Sequence, residues 1–160
     1  MALFGRMVSA GSRFANRRGI YLGRRSTTVH VRVYRWSRGR IGGRVPGWRG
    51  GRILLLDHVG ARSGVRRTSP LMYVEADGVL AVAASKAGEP EHPAWFHNLL
   101  AHPDTVVRVG GTVRPVRARV ATADERDRWW PRFVAAMPDF AFYQERAAGR
   151  LIPVVLLEPR

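Results

Sequence analysis

The sequence contains no cysteine, which excludes disulfides, thiolate metal sites and a cysteine nucleophile. No apolar run approaches ~18 residues, so no segment reads as a transmembrane helix. Residues 1–52 contain no acid at all, and the whole chain has a single lysine, Lys86. The short enzyme signatures are missing too: there is no G-x-S-x-G elbow, no G-x-G-x-x-G after a strand and no P-loop. The five histidines have no ligand spacing, since His92, His97 and His102 recur every five residues and so turn away from one helical face; no metal is expected. Carboxylates are scattered, which gives no local support for paired acid–base chemistry.

What is present is a chain of 160 residues, 46% apolar and 9% aromatic, with a formal charge of +15. That length suits one domain with a full hydrophobic core. The charge is uneven. Thirteen arginines fall in residues 1–52, whereas the remaining 108 residues hold fourteen basic and twelve acidic side chains. A near-neutral domain thus follows a cationic arm suited to anionic lipid headgroups, nucleic acid or an acidic partner. Charge that only keeps the protein soluble satisfies the same count.

Residues 1–28 are rich in Arg and Ser, and five apolar residues between Leu3 and Phe14 fall loosely on one helical face. This suits a transit peptide or a surface-lying amphipathic helix, and its glycines predict a basic, weakly ordered arm. The domain is expected over 29–160. Val29 to Arg38 alternates in a way that fits a strand, while Val29, Val33 and Trp36 also fit a helical face. Six glycines and one proline between Gly39 and Gly51 mark a loop. Strands are predicted at Ile53–Leu56, Ser69–Glu75, Val79–Ser85, Val106–Val109, Val113–Val120 and Leu151–Leu157, with a tight hairpin at Asp77-Gly78. Helices are predicted over Pro93–His102, from the capping box Thr122-Ala123-Asp124-Glu125 onward, and over Pro138–Ala147. Hairpin-linked strands with inserted helices indicate class α+β, an antiparallel sheet or small barrel.

One constellation carries chemistry. Arg62 and Arg67 flank a glycine-bounded turn, and pairing through Asp77-Gly78 would set Ser69–Tyr73 beside Val82–Lys86. Lys86 could then meet the same phosphate as the two arginines. A solvated turn with a chance lysine fits the same residues. The aromatics Trp95, Phe96, Trp129, Trp130, Phe133, Phe140, Phe142 and Tyr143 read mostly as core, with a subset able to wall a slot for a planar ring.

Gly60-Ala61-Arg62-Ser63-Gly64, Pro70-Leu71-Met72-Tyr73-Val74, Ala83-Ala84-Ser85-Lys86-Ala87-Gly88 and His92-Pro93-Ala94-Trp95-Phe96-His97-Asn98-Leu99 resemble, in order and spacing, the deazaflavin-dependent nitroreductase family. Tyr34-Arg35, Gly39–Arg44 and Ile152–Val155 are similar to it as well, so the likeness spans about residues 30–158. It implies a split antiparallel β-barrel of the flavin-reductase type with peripheral helices. It also implies binding of coenzyme F420, an 8-hydroxy-5-deazaflavin with a phospholactyl-polyglutamate tail. By position, Arg62, Arg67 and Lys86 would hold the phosphate, and Ser85 would lie near the ring or substrate. Pro70, Met72 and Tyr73 would lie along the ring system, with Asn98 assisting. Trp95, Met137, Phe140 and Tyr143 would form the substrate pocket.

The chain departs from the family at Ala61, where a second basic residue is common and Arg66 could substitute. It departs again at Met137 and Phe140, where relatives that reduce nitroimidazoles carry tyrosines. The result is a greasier pocket, suited to an apolar quinone. The expected reaction is hydride transfer from reduced F420 to a quinone-like or nitro-substituted acceptor, with Ser85 or Tyr143 as candidate proton donors beside solvent. The alternatives are an FMN-dependent reductase of the same fold and a non-catalytic basic module for membrane or nucleic acid. No nucleic-acid-reading fold is recognisable, so that partner is not expected. A cytoplasmic enzyme is expected, held by residues 1–52 at an anionic surface inside the plasma membrane. The coenzyme's occurrence in actinobacteria and archaea speaks against the transit-peptide reading.

Overall fold

Two left-handed residues turn the central hairpin. Asp77 (φ 52°) and Gly78 (φ 78°) join strand β2 (Arg66–Ala76) to β3 (Val79–Ala83), as the Asp-Gly pair predicts. The computed structural model describes residues 24–48 and 50–160. Its other elements are α1 (Arg24–Trp36), β1 (Arg52–Val59), α2 (Ala94–Ala101), β4 (Asp104–Val109) and β5 (Thr112–Val120), then α3 (Ala123–Ala136), α4 (Asp139–Arg146) and β6 (Val154–Pro159). The six strands close into an antiparallel barrel in the order β1-β2-β3-β6-β5-β4, in keeping with the expected α+β class.

The barrel is stitched unevenly. β2 pairs with β1 from Arg66 to Tyr73, but with β3 only from Tyr73 to Ala76. The first half of β2 therefore has an edge that β3 does not cover. β1 and β4 register at only two positions, Leu55↔Arg108 and Leu56↔Val107.

Alternation along the strands builds two apolar layers. Leu80 and Val82 of β3, with Val155 and Leu157 of β6, face the barrel interior beside Leu54, Leu56, Tyr73, Val107 and Val116. Trp95, Phe96 and Leu99 of α2 join that cluster. The intervening residues Ala81, Val154 and Leu156 face outward, onto Phe133 and Met137 of the α3 region and Phe140 and Tyr143 of α4. Strands buried on both faces read as continuous apolar runs, hence the short unbroken runs in the sequence. Phe133 is fully buried, and truncating such a side chain to Ala costs ~3–5 kcal/mol.

The alternating stretch 29–38 is helical, not extended. Val31 and Tyr34, three apart, dock α1 on Ile53 and Leu55 of β1. The Tyr34 hydroxyl donates to the Ile53 carbonyl (2.9 Å) and accepts from the Gly110 N–H (2.8 Å). Gly39 (φ 77°) ends the helix so close to Gly110 that an added Cβ would lie 2.8 Å from its Cα. The boundary expected between residues 28 and 29 falls within α1, and the weak order expected for residues 1–23 lies outside the described residues. The capping box opens α3 as read: the Thr122 hydroxyl accepts from the Glu125 N–H, and the Glu125 carboxylate from the Thr122 N–H. The Arg119 guanidinium, bound to the same carboxylate at 2.7 Å, holds the Glu125 pKa down at about 2.

Candidate functional site

One end of the barrel gathers the start of β2, the end of β3, α2 and α4. There the basic turn is tied down by a buried relay. The Asn98 Oδ1 on α2 accepts from the Ala61 N–H at 2.9 Å, and its Nδ2 lies 2.8 Å from His58 Nδ1. Accepting through Oδ1 leaves the Asn98 amide to donate, so His58 Nδ1 is the acceptor and Nε2 bears the proton. His58 Nε2 then donates to Ser69 Oγ at 3.0 Å, and the Ser69 hydroxyl proton is left to be donated onward. Burial, followed by Arg67, its register partner across β1 and β2, lowers the His58 pKa and keeps the ring neutral. Arg62, Arg66 and Arg67 are exposed around this turn. Neither His58 nor Ser69 stood out in the sequence. Their partners are 40 and 11 positions away, and only the strand register unites them.

The Ser85-Lys86 segment is a strained loop. Lys86 (φ 47°) and Ala87 (φ 49°) are consecutive non-glycine residues in the left-handed region, followed by Gly88 (φ 78°). The Arg150 guanidinium holds the loop. It donates to the carbonyls of Ala84 (3.2 Å), Ser85 (2.9 Å) and Glu89 (2.7 Å) and meets His92 Nδ1 at 3.0 Å. Gln144 of α4 in turn accepts from Arg126 and the Ile152 N–H and donates to the Arg150 carbonyl, so α3, α4 and the loop share one network. Arg150 escaped the sequence reading because no local pattern marks a side chain that serves carbonyls more than 55 positions away.

The structure sorts the expected site residues into two groups. Met72, Met137, Phe140 and Tyr143 share the outer apolar cluster with Ala87 of the strained loop. Phe140 lies 5.2 Å from Phe133 and 5.6 Å from Tyr143, ring to ring. Burial, with the Asp139 carboxylate second, drives the Tyr143 pKa well above the usual phenol range, so the hydroxyl keeps its proton. Pro70 falls on the same face of β2 as Met72.

Tyr73 does not join them. Alternation along β2 turns it into the barrel interior, 2% exposed, beneath the Arg52 guanidinium at 5.0 Å. Trp95 likewise belongs to the interior cluster and not to the substrate-side wall, because α2 inserts that face into the barrel mouth. Asn98 is committed to Ala61 and His58. The Lys86 ammonium pairs with Glu89 (3.3 Å) and Glu91 (3.2 Å) of its own loop, and the resulting hydrogen bonds, Glu91's first, raise its pKa.

The exposed Arg62, Arg66 and Arg67, the Lys86 ammonium and the Ser69 hydroxyl are donors of the kind phosphate oxygens accept from, and Arg66, Arg67 and Ser69 lie on the stretch of β2 that β3 leaves unpaired. Among the described residues, no group of three or more His, Asp or Glu side chains is placed to hold a metal.

The closed six-stranded antiparallel barrel with helices packed against it is a split barrel of the flavin-reductase type. The sequence profile of the F420H(2)-dependent quinone reductases matches residues 26–159, and the chain belongs to that family. It is 36% identical over 135 residues to the F420H(2)-dependent quinone reductase Rv1261c of Mycobacterium tuberculosis, covering 82% of this chain and 89% of that one. It is 45% identical over 107 residues to Rv3178 of the same organism, whose name places it in the same group; this covers 67% and 89% of the two chains. A solved F420-H2 dependent reductase, FDR-A, superposes with a TM-score of 0.62 at 44% identity, over 66% of this chain and 93% of that one. A solved domain-swapped dimer superposes at 0.64 with 38% identity, over 84% and 96%. Coenzyme F420 is the cofactor of the family, and FMN takes second place.

Proposed function

We propose that the protein uses reduced coenzyme F420 to reduce a quinone. The observation that carries this reading is the family match across residues 26–159, joined to a phosphate-type donor set at the open edge of β2. When bound, the coenzyme supplies a hydride to the acceptor, and one proton completes the quinol. The chain's own residues bind, orient and exclude water. Arg62, Arg66, Arg67 and Lys86 take the phosphate, and the His58 relay aims the Ser69 hydroxyl toward it. Met72, Met137, Phe140 and Tyr143 give the acceptor an apolar wall suited to a lipid-like ring, with nitro compounds as incidental substrates. Tyr143, Ser85 and solvent are the candidate proton donors to the acceptor oxygen.

The test is a fluorescence titration of the purified protein with F420 and, in parallel, with FMN, followed by turnover of menaquinone-type acceptors by reduced F420. Tight F420 binding with quinone turnover supports the reading. Preference for FMN, or F420 binding without quinone turnover, replaces it.

A second surface, on α1, supports a place for the enzyme at a membrane. No helix among the described residues is long and apolar enough to cross a membrane. On α1 and the loop after it, Trp36 (80% exposed), Val29 and Ile41 project among Arg32, Arg35, Arg38 and Arg40. An exposed indole within a cationic surface suits the headgroup layer of an anionic membrane, where each arginine contributes ~1 kcal/mol. The protein is thus a cytoplasmic enzyme held peripherally where its acceptor dissolves. Co-sedimentation with anionic but not neutral vesicles, weakened by Trp36→Ala, is the expected result; equal sedimentation with both removes it.

A further inference from the structure

At the opposite end of the barrel, a cavity of about 350 Å³ opens between the start of β1, the end of β4 and the loop after α1. Arg40, Arg44, Arg52 and Tyr73 line it, with backbone from Gly39 and Gly110, and no Asp or Glu does. The nearest acid in the ion-pair network is Glu75, which meets Arg52 at 3.6 Å and Arg114 at 3.2 Å from outside the lining.

Tyr73 is the decisive residue. The residue is 2% exposed, and its hydroxyl, which makes no hydrogen bond among the described residues, is not a buried atom but opens on the cavity. Its neighbour in the cavity wall, Tyr34, shows the ordinary outcome, with a hydroxyl that donates to Ile53 and accepts from Gly110. A phenol with no protein partner, whose opening is the cavity, is free to donate to a ligand atom there. Burial raises the Tyr73 pKa, so the hydroxyl carries a proton and acts as a donor. Guanidinium forks beside a phenol donor, in a lining that holds no carboxylate, match a phosphate group, which presents several oxygens at once and would compete with Glu75 for Arg52. The space exceeds what a bare oxyanion fills, so the ligand carries an organic substituent on that phosphate.

We infer that Arg40, Arg44, Arg52 and the Tyr73 hydroxyl form a second binding site, for the phosphate of a phosphorylated ligand, at the end of the barrel away from the coenzyme loop. The phosphate can belong to a soluble ester or to a lipid headgroup.

The test uses the full chain with F420 added to occupy the coenzyme site, titrated calorimetrically with glycerol 1-phosphate and with inorganic phosphate. Tyr73→Phe deletes one oxygen and keeps the ring and the net charge. It should weaken glycerol 1-phosphate binding about tenfold, the effect of one hydrogen bond to a charged group. Arg40→Ala is a second variant at the rim, outside the core, and should weaken it at least as much. Arg128→Ala, exposed on α3, should change it less than twofold. Undiminished binding in both Tyr73→Phe and Arg40→Ala, or equal losses in all three variants, overturns the site. Vesicles of phosphatidylcholine with and without phosphatidylglycerol separate the sources. Retention on the anionic vesicles that Tyr73→Phe weakens identifies a headgroup, and retention that it leaves unchanged identifies a soluble ester.

Discussion

Gly88 lies against Tyr143 so tightly that a Cβ on the glycine would sit 2.6 Å from the Tyr143 carbonyl oxygen and 3.0 Å from its Cα. The Ser85–Gly88 loop and helix α4 thus meet backbone to backbone. Gly88→Ala would face both this overlap and a φ of 78°, which a side chain seldom adopts. A loss of ~2–4 kcal/mol is expected, with F420 affinity falling further than stability because the loop must move off α4. Chemical denaturation and F420 titration on the same variant check both parts. Wild-type stability would show that the close approach is not maintained.

Arg150 gives the same loop its second hold. Lysine keeps the charge but not the fork, so Arg150→Lys loses most of the contacts to the carbonyls of Ala84, Ser85 and Glu89. The left-handed pair Lys86-Ala87 then has less to offset its strain, and F420 affinity should fall about tenfold. Adding Ala87→Gly, which removes the side-chain penalty at φ 49°, should recover part of the loss. Amide exchange across residues 86–91 reads the loop without coenzyme. Unchanged exchange in Arg150→Lys would remove this role.

Much of this architecture was legible. Asp77-Gly78 dictated its turn, Thr122 to Glu125 their cap, and Pro93 the start of α2, because each acts through neighbours a few positions away. Positions 29–38 were not decidable by pattern, since Val29, Val31 and Val33 satisfy both periods; what selects the helix is the docking of Tyr34 on Ile53 and Gly110, 19 and 76 positions away. The family resemblance implied that Met72 and Tyr73 lie together, but the two-residue period of a strand sends them to opposite faces. The His58, Asn98 and Ser69 relay and the Arg150 clamp are products of register and loop closure, so neither leaves a local signature.

The His58 relay gives a pH dependence of known sign. The folded-state pKa of His58 is below its usual 6.5, chiefly through burial, and that of His92 is lowered too, by burial and then Arg150. Below pH 6.5 the unfolded chain takes up protons that the native state refuses, so stability is full above that pH and declines as pH falls toward the folded values. Glu125, held at about 2, adds its own loss only at much lower pH. Urea midpoints measured from pH 8 to pH 5 should fall through this window, and His58→Gln should flatten the slope. A slope unchanged in the variant would place the titration elsewhere.

His58→Gln and His58→Asn separate orientation from packing. Glutamine can keep an N–H facing Ser69, whereas asparagine can keep only an acceptor facing Asn98. If Ser69 must be held as a donor to the coenzyme phosphate, the glutamine variant should retain F420 affinity within about threefold, and the asparagine variant should lose about tenfold. Similar melting temperatures with divergent affinities would establish the relay. Equal affinities would reduce His58 to a packing role.

Lys86 stands between Glu89 and Glu91, and any incoming phosphate must compete with both carboxylates. Glu91 is the more exposed of the two, so its pairing is worth little to the fold. Glu91→Gln should therefore leave the melting temperature nearly unchanged while tightening F420 binding two- to fivefold, as one competitor for the ammonium is neutralised. Lys86→Ala should weaken binding by tenfold or more, since a charge-assisted contact is lost. Salt separates direct contact from general attraction: the affinity of Lys86→Ala should fall less steeply with ionic strength than that of the wild type. If Glu91→Gln weakens binding, the carboxylate is positioning the lysine for the phosphate and does not compete with it, and the loop is preorganised as an ion-paired unit.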